Sequence, residues 1–126
     1  MSLPGRVLVI DDHEPNVKLL ERLLERQGHR VQSAGTLAAA ERAITEEPPA
    51  LIVLDLNLPD GSGLGLTRKL KSDPRTASIP IVACTAAVMQ SDEARALEAG
   101  CDAFLAKPID LQRFSTVVSL MLPERR

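Results

Sequence analysis

Ala50-Leu51-Ile52-Val53-Leu54-Asp55 is the stretch on which the fold of this chain turns. The apolar run is too short for a helix and apolar on both faces, the pattern of a strand in a parallel sheet covered on both sides. It ends abruptly in a carboxylate. The same grammar repeats on either side. Val7-Leu8-Val9-Ile10 is another both-face apolar run, closed by Asp11-Asp12. Ile79 to Cys84 closes at Thr85, Ala103-Phe104-Leu105 is followed by Lys107-Pro108, and Arg30 to Ala34 offers a weaker strand. Between these runs the apolar residues take helical spacing. Pro15 suits the first turn of a helix carrying Val17, Leu20 and Leu24 with Leu19 and Leu23, up to a capping Gly28. Thr36 caps a helix through Ile44, which Pro48-Pro49 prevents from continuing. Gly61 and Gly63 punctuate a loop before a helix holding Leu64, Leu66 and Leu70. A fourth helix runs from about Ala87 to Ala99 and stops at Gly100. Asp110 caps a last one, closed by Pro123, that turns Phe114, Val117, Val118 and Met121 inward.

Five strand–helix units with no repeat and no linker predict an α/β fold. Right-handed crossovers leave few topologies, and five parallel strands favour the flavodoxin-like doubly wound (βα)5 order 2-1-3-4-5. In such sheets ligands sit beyond the carboxyl ends of the strands at the switch point, here between the first and third strands.

Composition sets the outer bounds. The chain has 126 residues, 44% hydrophobic and 25% charged, which suits one globular domain. Basic minus acidic residues is 15 − 17 = −2, and two Phe without Tyr or Trp leave no base-stacking platform. Both observations argue against direct nucleic-acid binding. No apolar run approaches the ~20 residues of a bilayer span, so no membrane contact is expected. Residues 1–5 read as an N-terminal leader, 6–122 as the domain and 123–126 as a C-terminal tail. Met1-Ser2-Leu3 fits an expression leader, so the chain reads either as a stand-alone domain or as a piece excised from a larger protein. Cys84 and Cys101 form no CxxC or framework pattern, and free buried thiols in a reducing cytosol are the expectation.

The residues that close the strands are Asp11, Asp12, Asp55, Thr85 and Lys107. Switch-point geometry would gather three carboxylates into one cleft, flanked by a hydroxyl and an ammonium. Such a cluster calls for raised pKa values or a bound cation. Oxygen-only ligands suit Mg²⁺, and the set suits phosphoryl chemistry with a carboxylate as nucleophile. Taken singly these residues have plainer readings: Asp11, Asp12 and Thr85 as helix caps, Lys107 as a solvated loop lysine, Phe104 as core. His13 and His29 look incidental.

Asp11-Asp12 after the first strand, Asp55-Leu56-Asn57-Leu58-Pro59-Asp60-Gly61-Ser62-Gly63 after the third, Thr85-Ala86 after the fourth and Lys107-Pro108 after the fifth occur in this order. In these motifs the chain resembles the (CheY-like) receiver domain of bacterial two-component response regulators over essentially its whole length. The resemblance implies a cytoplasmic phosphorylation switch rather than an enzyme with a diffusible substrate. It implies that Asp55 accepts a phosphoryl group from the phosphohistidine of a sensor kinase or phosphotransfer protein. Mg²⁺ would be held by Asp12 directly, Asp11 mainly through water, Asp55, and the backbone carbonyl of Asn57. Lys107 would pair with Asp55 at rest and with a phosphoryl oxygen afterwards. Thr85 would swing toward the phosphoryl group, Phe104 would turn inward with it, and Lys107-Pro108 would be a cis peptide. The output would be the face of the fourth helix, fifth strand and fifth helix, with Gln90, Glu93, Arg95 and Arg113 exposed. That face would control a downstream partner or an attached output domain, and a phosphorylation-dependent dimer belongs to the same implication. Small Ala87, two residues beyond Thr85, would leave the hydrolytic water unblocked.

Two rivals are weaker. A haloacid-dehalogenase-like phosphatase would need a second aspartate where Asn57 stands. A pseudo-receiver binding module would lack Asp55, Thr85 or Lys107, and none is missing.

Overall fold

The structure, a computed structural model, describes residues 5–86 and 90–122. Its main elements alternate: β1 (Arg6–Ile10), α1 (Glu14–Arg26), β2 (Arg30–Ala34), α2 (Leu37–Glu46), β3 (Leu51–Leu54), α3 (Gly63–Ser72), β4 (Ile81–Thr85), α4 (Gln90–Ala99), β5 (Ala103–Ala106) and α5 (Leu111–Met121). The five strands pair in parallel in the order β2-β1-β3-β4-β5. This is the expected flavodoxin-like topology, with the switch point between β1 and β3.

The both-face apolar runs explain the layers. Alternate residues of a strand point to opposite sides. Leu8, Ile10, Ile52, Leu54, Ile81 and Ala83 therefore share one core with Ile44, Leu66, Leu70 and Ala96 of α2, α3 and α4. Val7, Val9, Leu51, Val53, Val82 and Cys84 share the other with Val17, Leu20, Leu24, Phe114 and Val118 of α1 and α5. Val117 and Met121 are half-buried against that second core. The edge strand β2 is mostly exposed outside Val31 and Ala34, which accounts for its weaker pattern.

Several boundaries differ from the sequence reading. The fourth strand starts at Ile81, not Ile79. Ile79 N–H donates to the Thr76 carbonyl in a turn at 3.0 Å, and Pro80 has no N–H to offer a ladder. Thr85 is the last residue of β4, paired with Ala106, rather than the first after it. The loop after β3 contains a two-residue antiparallel ladder, Asn57–Leu58 against Gly61–Ser62, too short to register as a strand pattern. Leu19 lies outside the buried stripe of α1 at 44% exposure, while Leu23 is half-buried. Neither Asp11 nor Asp12 is the N-cap of α1; that position is His13, whose side chain makes no capping bond. Gly28 adopts φ 91°, the left-handed conformation expected of a glycine ending α1. Ala87 and Pro123, like residues 1–4, lie outside the described residues, as does the start of the expected fourth helix; α5 itself ends at Met121 with Leu122 as its C-cap.

α2 is capped from two directions. Thr36 Oγ1 accepts from Ala39 N–H at 3.1 Å, and the Asp60 carboxylate accepts from Leu37 and Ala38 N–H at 2.9 and 3.2 Å. Thr36→Ala should lower the unfolding free energy by about 1 kcal/mol, read as a shift in the urea midpoint at unchanged slope.

Candidate functional site

The β1–β3 pairing places two strand ends side by side. Asp55 N–H donates to the Ile10 carbonyl at 2.8 Å, so the first residue beyond β3 lies next to the last of β1. Asp11 and Asp55 are buried at 5% and 7% exposure, whereas Asp12 is exposed. Asp11, Asp12 and Asp55 can each offer an oxygen such that all three atoms lie within 4.8 Å of one another.

Lys107 reaches this cluster from the end of β5, where its N–H donates to the Thr85 carbonyl and its bond to Pro108 is cis. Its Nζ donates to Asp11 Oδ2 at 2.9 Å and to Asp55 Oδ2 at 3.1 Å. It therefore bridges two carboxylates, making the contact with Asp55 that the resemblance implied and a second one with Asp11. The remaining acceptors are also engaged. Asp11 takes His13 N–H on Oδ1 at 2.9 Å and Asn16 Nδ2 on Oδ2 at 2.7 Å, while Asp55 Oδ1 takes Asn57 N–H at 3.0 Å.

These contacts set the titration. Burial pushes the Asp11 carboxyl up, but the His13 N–H, Lys107 and Asn16 outweigh it and hold the group below the usual carboxylate range. Burial likewise pushes Lys107 down, and its bonds to Asp11 and Asp55 overcome this and raise it. A carboxyl depressed in the folded state contributes stability that is present above its unfolded pKa and lost as the pH falls through its folded value. Asp11→Asn should thus flatten the acid limb of stability below about pH 4, measured by urea unfolding across that range without divalent ions. Cys84, on β4 nearby, is pushed up to about 12 by burial, a buried, inert thiol.

Thr85 is 2% exposed, and its Oγ1 accepts from Asn57 Nδ2 at 3.0 Å. Beside this pair opens a polar cavity of about 120 Å³ that Arg95 of α4 also lines. Phe104 is half-buried and packs against the core under α2, α3 and α4, with its backbone paired to Ala83. The structure thus joins Asp11, Asp55, Asn57, Thr85 and Lys107 by hydrogen bonds and brings the Asp12 carboxylate beside them, with Phe104 and Pro108 outside the cluster. Asn16, Asp60 and Gly63 also support the site, although the sequence marks Asp60 and Gly63 only as loop residues and gives Asn16 no role. A Cβ at Gly63 would lie 3.0 Å from the Asp55 carbonyl oxygen and 3.1 Å from Leu54 side-chain carbons. Gly63→Ala should therefore displace the Asp55 backbone and destabilise the domain by about 1–3 kcal/mol, the ordinary cost of overpacking, measured by thermal unfolding. In the sequence Gly63 reads only as punctuation before a helix, directly after the N-cap Ser62, and the reason for a glycine lies in its contact with the end of β3.

The profile of the response regulator receiver domain matches residues 7–119. The chain belongs to that family. The receiver domain is 37% identical over 121 residues to the polar-differentiation response regulator DivK of Brucella anthropi, covering 95% of this chain and 98% of that one. Its structure superposes on the signal receiver domain of a signal transduction histidine kinase from Syntrophus aciditrophicus with a TM-score of 0.87 at 28% identity, covering 97% and 94% of the two chains. A two-component response regulator from Clostridium difficile gives a TM-score of 0.85 at 28% identity, covering 92% and 93%. The receiver domain is accordingly a component of two-component signalling rather than a conventional enzyme. Among the described residues no helix is long and apolar enough to cross a membrane.

Proposed function

We propose that this receiver domain is a phosphorylation switch whose acceptor is Asp55. The observation that carries the reading is the Asp55 carboxylate, buried at a strand end with one oxygen held by Asn57 N–H and the other by Lys107 Nζ. An aspartate so fixed presents a positioned nucleophile. A carboxylate oxygen of Asp55 forms the new P–O bond as the P–N bond of a donor phosphohistidine breaks, and the imidazole leaves with the electron pair and takes up a proton. The donor is a histidine kinase or histidine phosphotransfer protein.

The three clustered carboxylates fit a hard divalent ion, Mg²⁺, which Asp11, Asp12 and Asp55 would hold together with the Asn57 carbonyl. When bound, the ion supplies charge neutralisation for the phosphoryl oxygens. Lys107 then serves as a movable charge, exchanging its carboxylate partners for a phosphoryl oxygen. Thr85 supplies a hydroxyl to the same group, and Phe104 and Pro108 flank the route by which its movement reaches β5. An off-to-on shift of this kind needs about 5.5 kcal/mol of differential stabilisation, within reach of several charge-assisted contacts. Glu93 and Arg95 on α4 and Arg113 on α5 are exposed, as are Leu97, Leu111 and Leu120, which supports the α4–β5–α5 face as the surface read by a downstream protein, an attached output domain or a second copy. These roles support a cytoplasmic domain, residues 6–122, that hydrolyses its own acyl phosphate.

The test is incubation with acetyl phosphate and Mg²⁺ followed by intact mass at neutral pH. A gain of one phosphoryl group that requires Mg²⁺ is expected. No gain, together with no binding of beryllofluoride, would overturn the reading.

A further inference from the structure

The proposed switch requires the Thr85 hydroxyl to turn toward a phosphoryl group on Asp55, and the structure shows that hydroxyl already engaged. Asn57 Nδ2 donates to Thr85 Oγ1 at 3.0 Å across 28 residues of sequence. Thr85 is almost fully buried, and among the described residues Asn57 is the side-chain partner of its hydroxyl. Asn57 is held on its other side too, because its N–H donates to Asp55 Oδ1. One residue thus touches both the acceptor carboxylate, through its backbone, and the switching hydroxyl, through its side chain.

We propose that the Asn57 carboxamide is a latch that holds Thr85 in the resting orientation and opposes activation until a phosphoryl group outcompetes it. This rests on the reading of Asp55 as acceptor and adds a positioning residue to it. The two states differ in identifiable bonds. At rest Thr85 Oγ1 accepts from Asn57. In the active state its O–H donates to a phosphoryl oxygen, and the carboxamide is released. The released group has somewhere to go: Asn57 and Thr85 both line the cavity of about 120 Å³ into which Arg95 and Ser62 also face. Asn57 is itself exposed, so a released carboxamide exchanges its bond to Thr85 for bonds to solvent and no buried amide is left unpaired. Exchange of a neutral hydrogen bond for a charge-assisted one favours the active state only after phosphorylation, which is the direction a switch needs.

A net hydrogen bond contributes about 1 kcal/mol, so removing the latch should shift the equilibrium about fivefold toward the active state. Two measurements test this. The first needs no phosphoryl group: three-bond couplings and methyl shifts of Thr85 by NMR in the unmodified protein. A single χ1 rotamer is expected in the parent protein and averaging in Asn57→Ala; averaging in the parent, or an unchanged single rotamer in the variant, overturns the latch. The second is a double-mutant cycle read as beryllofluoride affinity in saturating Mg²⁺. Asn57→Ala should tighten binding about fivefold in the parent background, and by less than twofold when Thr85 is already replaced in Thr85→Val. Equal effects in both backgrounds, or weaker binding in the first, would overturn it. Absence of beryllofluoride binding in the parent protein would instead count against Asp55 as acceptor, and the NMR result would still decide the latch.

Discussion

Asp55→Asn is expected to take up no phosphoryl group from acetyl phosphate at any Mg²⁺ concentration while remaining folded. Both halves of that expectation follow from the same contacts. The asparagine keeps an oxygen where Oδ1 accepts from Asn57 N–H at 3.0 Å, so the turn after β3 loses nothing. Its nitrogen stands where Oδ2 faced Lys107 Nζ, placing donor against donor, but Lys107 retains Asp11 Oδ2 at 2.9 Å. The cost to folding should therefore stay within about 1 kcal/mol, the scale of one exchanged hydrogen bond. A carboxamide oxygen, by contrast, carries no negative charge and is a poor nucleophile toward phosphorus. The comparison is intact mass of parent and variant, with circular dichroism and a urea midpoint as the folding control. A variant that still gains a phosphoryl group would place the acceptor elsewhere.

Lys107→Ala should have two opposite effects that depend on the divalent ion. Without Mg²⁺ the buried Asp11 and Asp55 carboxylates lose the cation they share, and their repulsion is no longer compensated. Removing one partner of a well-buried ion pair costs 3–5 kcal/mol. The Lys107 side chain keeps 19% of its exposure, so a smaller loss of about 2 kcal/mol is expected. With Mg²⁺ the sign of the comparison changes. In the parent protein a bound ion would share the Asp11 and Asp55 carboxylates with the ammonium, and in the variant it would not. Mg²⁺ affinity should rise about tenfold, and ligand binding to the folded state alone then restores stability as RT ln(1 + [Mg²⁺]/Kd). Calorimetric Mg²⁺ titration and urea unfolding with and without the ion measure both parts. Unchanged or weaker Mg²⁺ binding would show that the lysine does not compete for those oxygens. The phosphorylated variant should also lack the charge that Lys107 brings to a phosphoryl oxygen, so its output should stay near the resting level even when modified.

Much of this site could be read from local sequence. Asp11, Asp12, Asp55, Thr85 and Lys107 each lie at the carboxyl-terminal end of a strand, and a parallel doubly wound sheet points all such ends to one edge. Knowing the strands was therefore enough to nominate the residues. The partnerships between them were not legible in the same way. Position at a strand end does not say that Lys107 bridges both Asp55 and Asp11. Nor does it say that His13, and neither Asp11 nor Asp12, takes the cap position of α1 while Asp11 turns back to accept from it. Asp60 appeared only as part of a loop, yet it caps α2 from 23 residues away, and Asn57 reaches Thr85 across 28.

By itself the sequence determined the strands, the helices between them and the edge of the sheet where chemistry gathers, because these follow from hydrophobic period and from the handedness of parallel crossovers, both properties of short stretches of chain. Only the tertiary structure decided which donor meets which acceptor, that Gly63 must lack a side chain, and that Leu19 faces solvent. Those outcomes depend on distances of about 3 Å between segments far apart in the chain, set by how the layers pack rather than by any period along it.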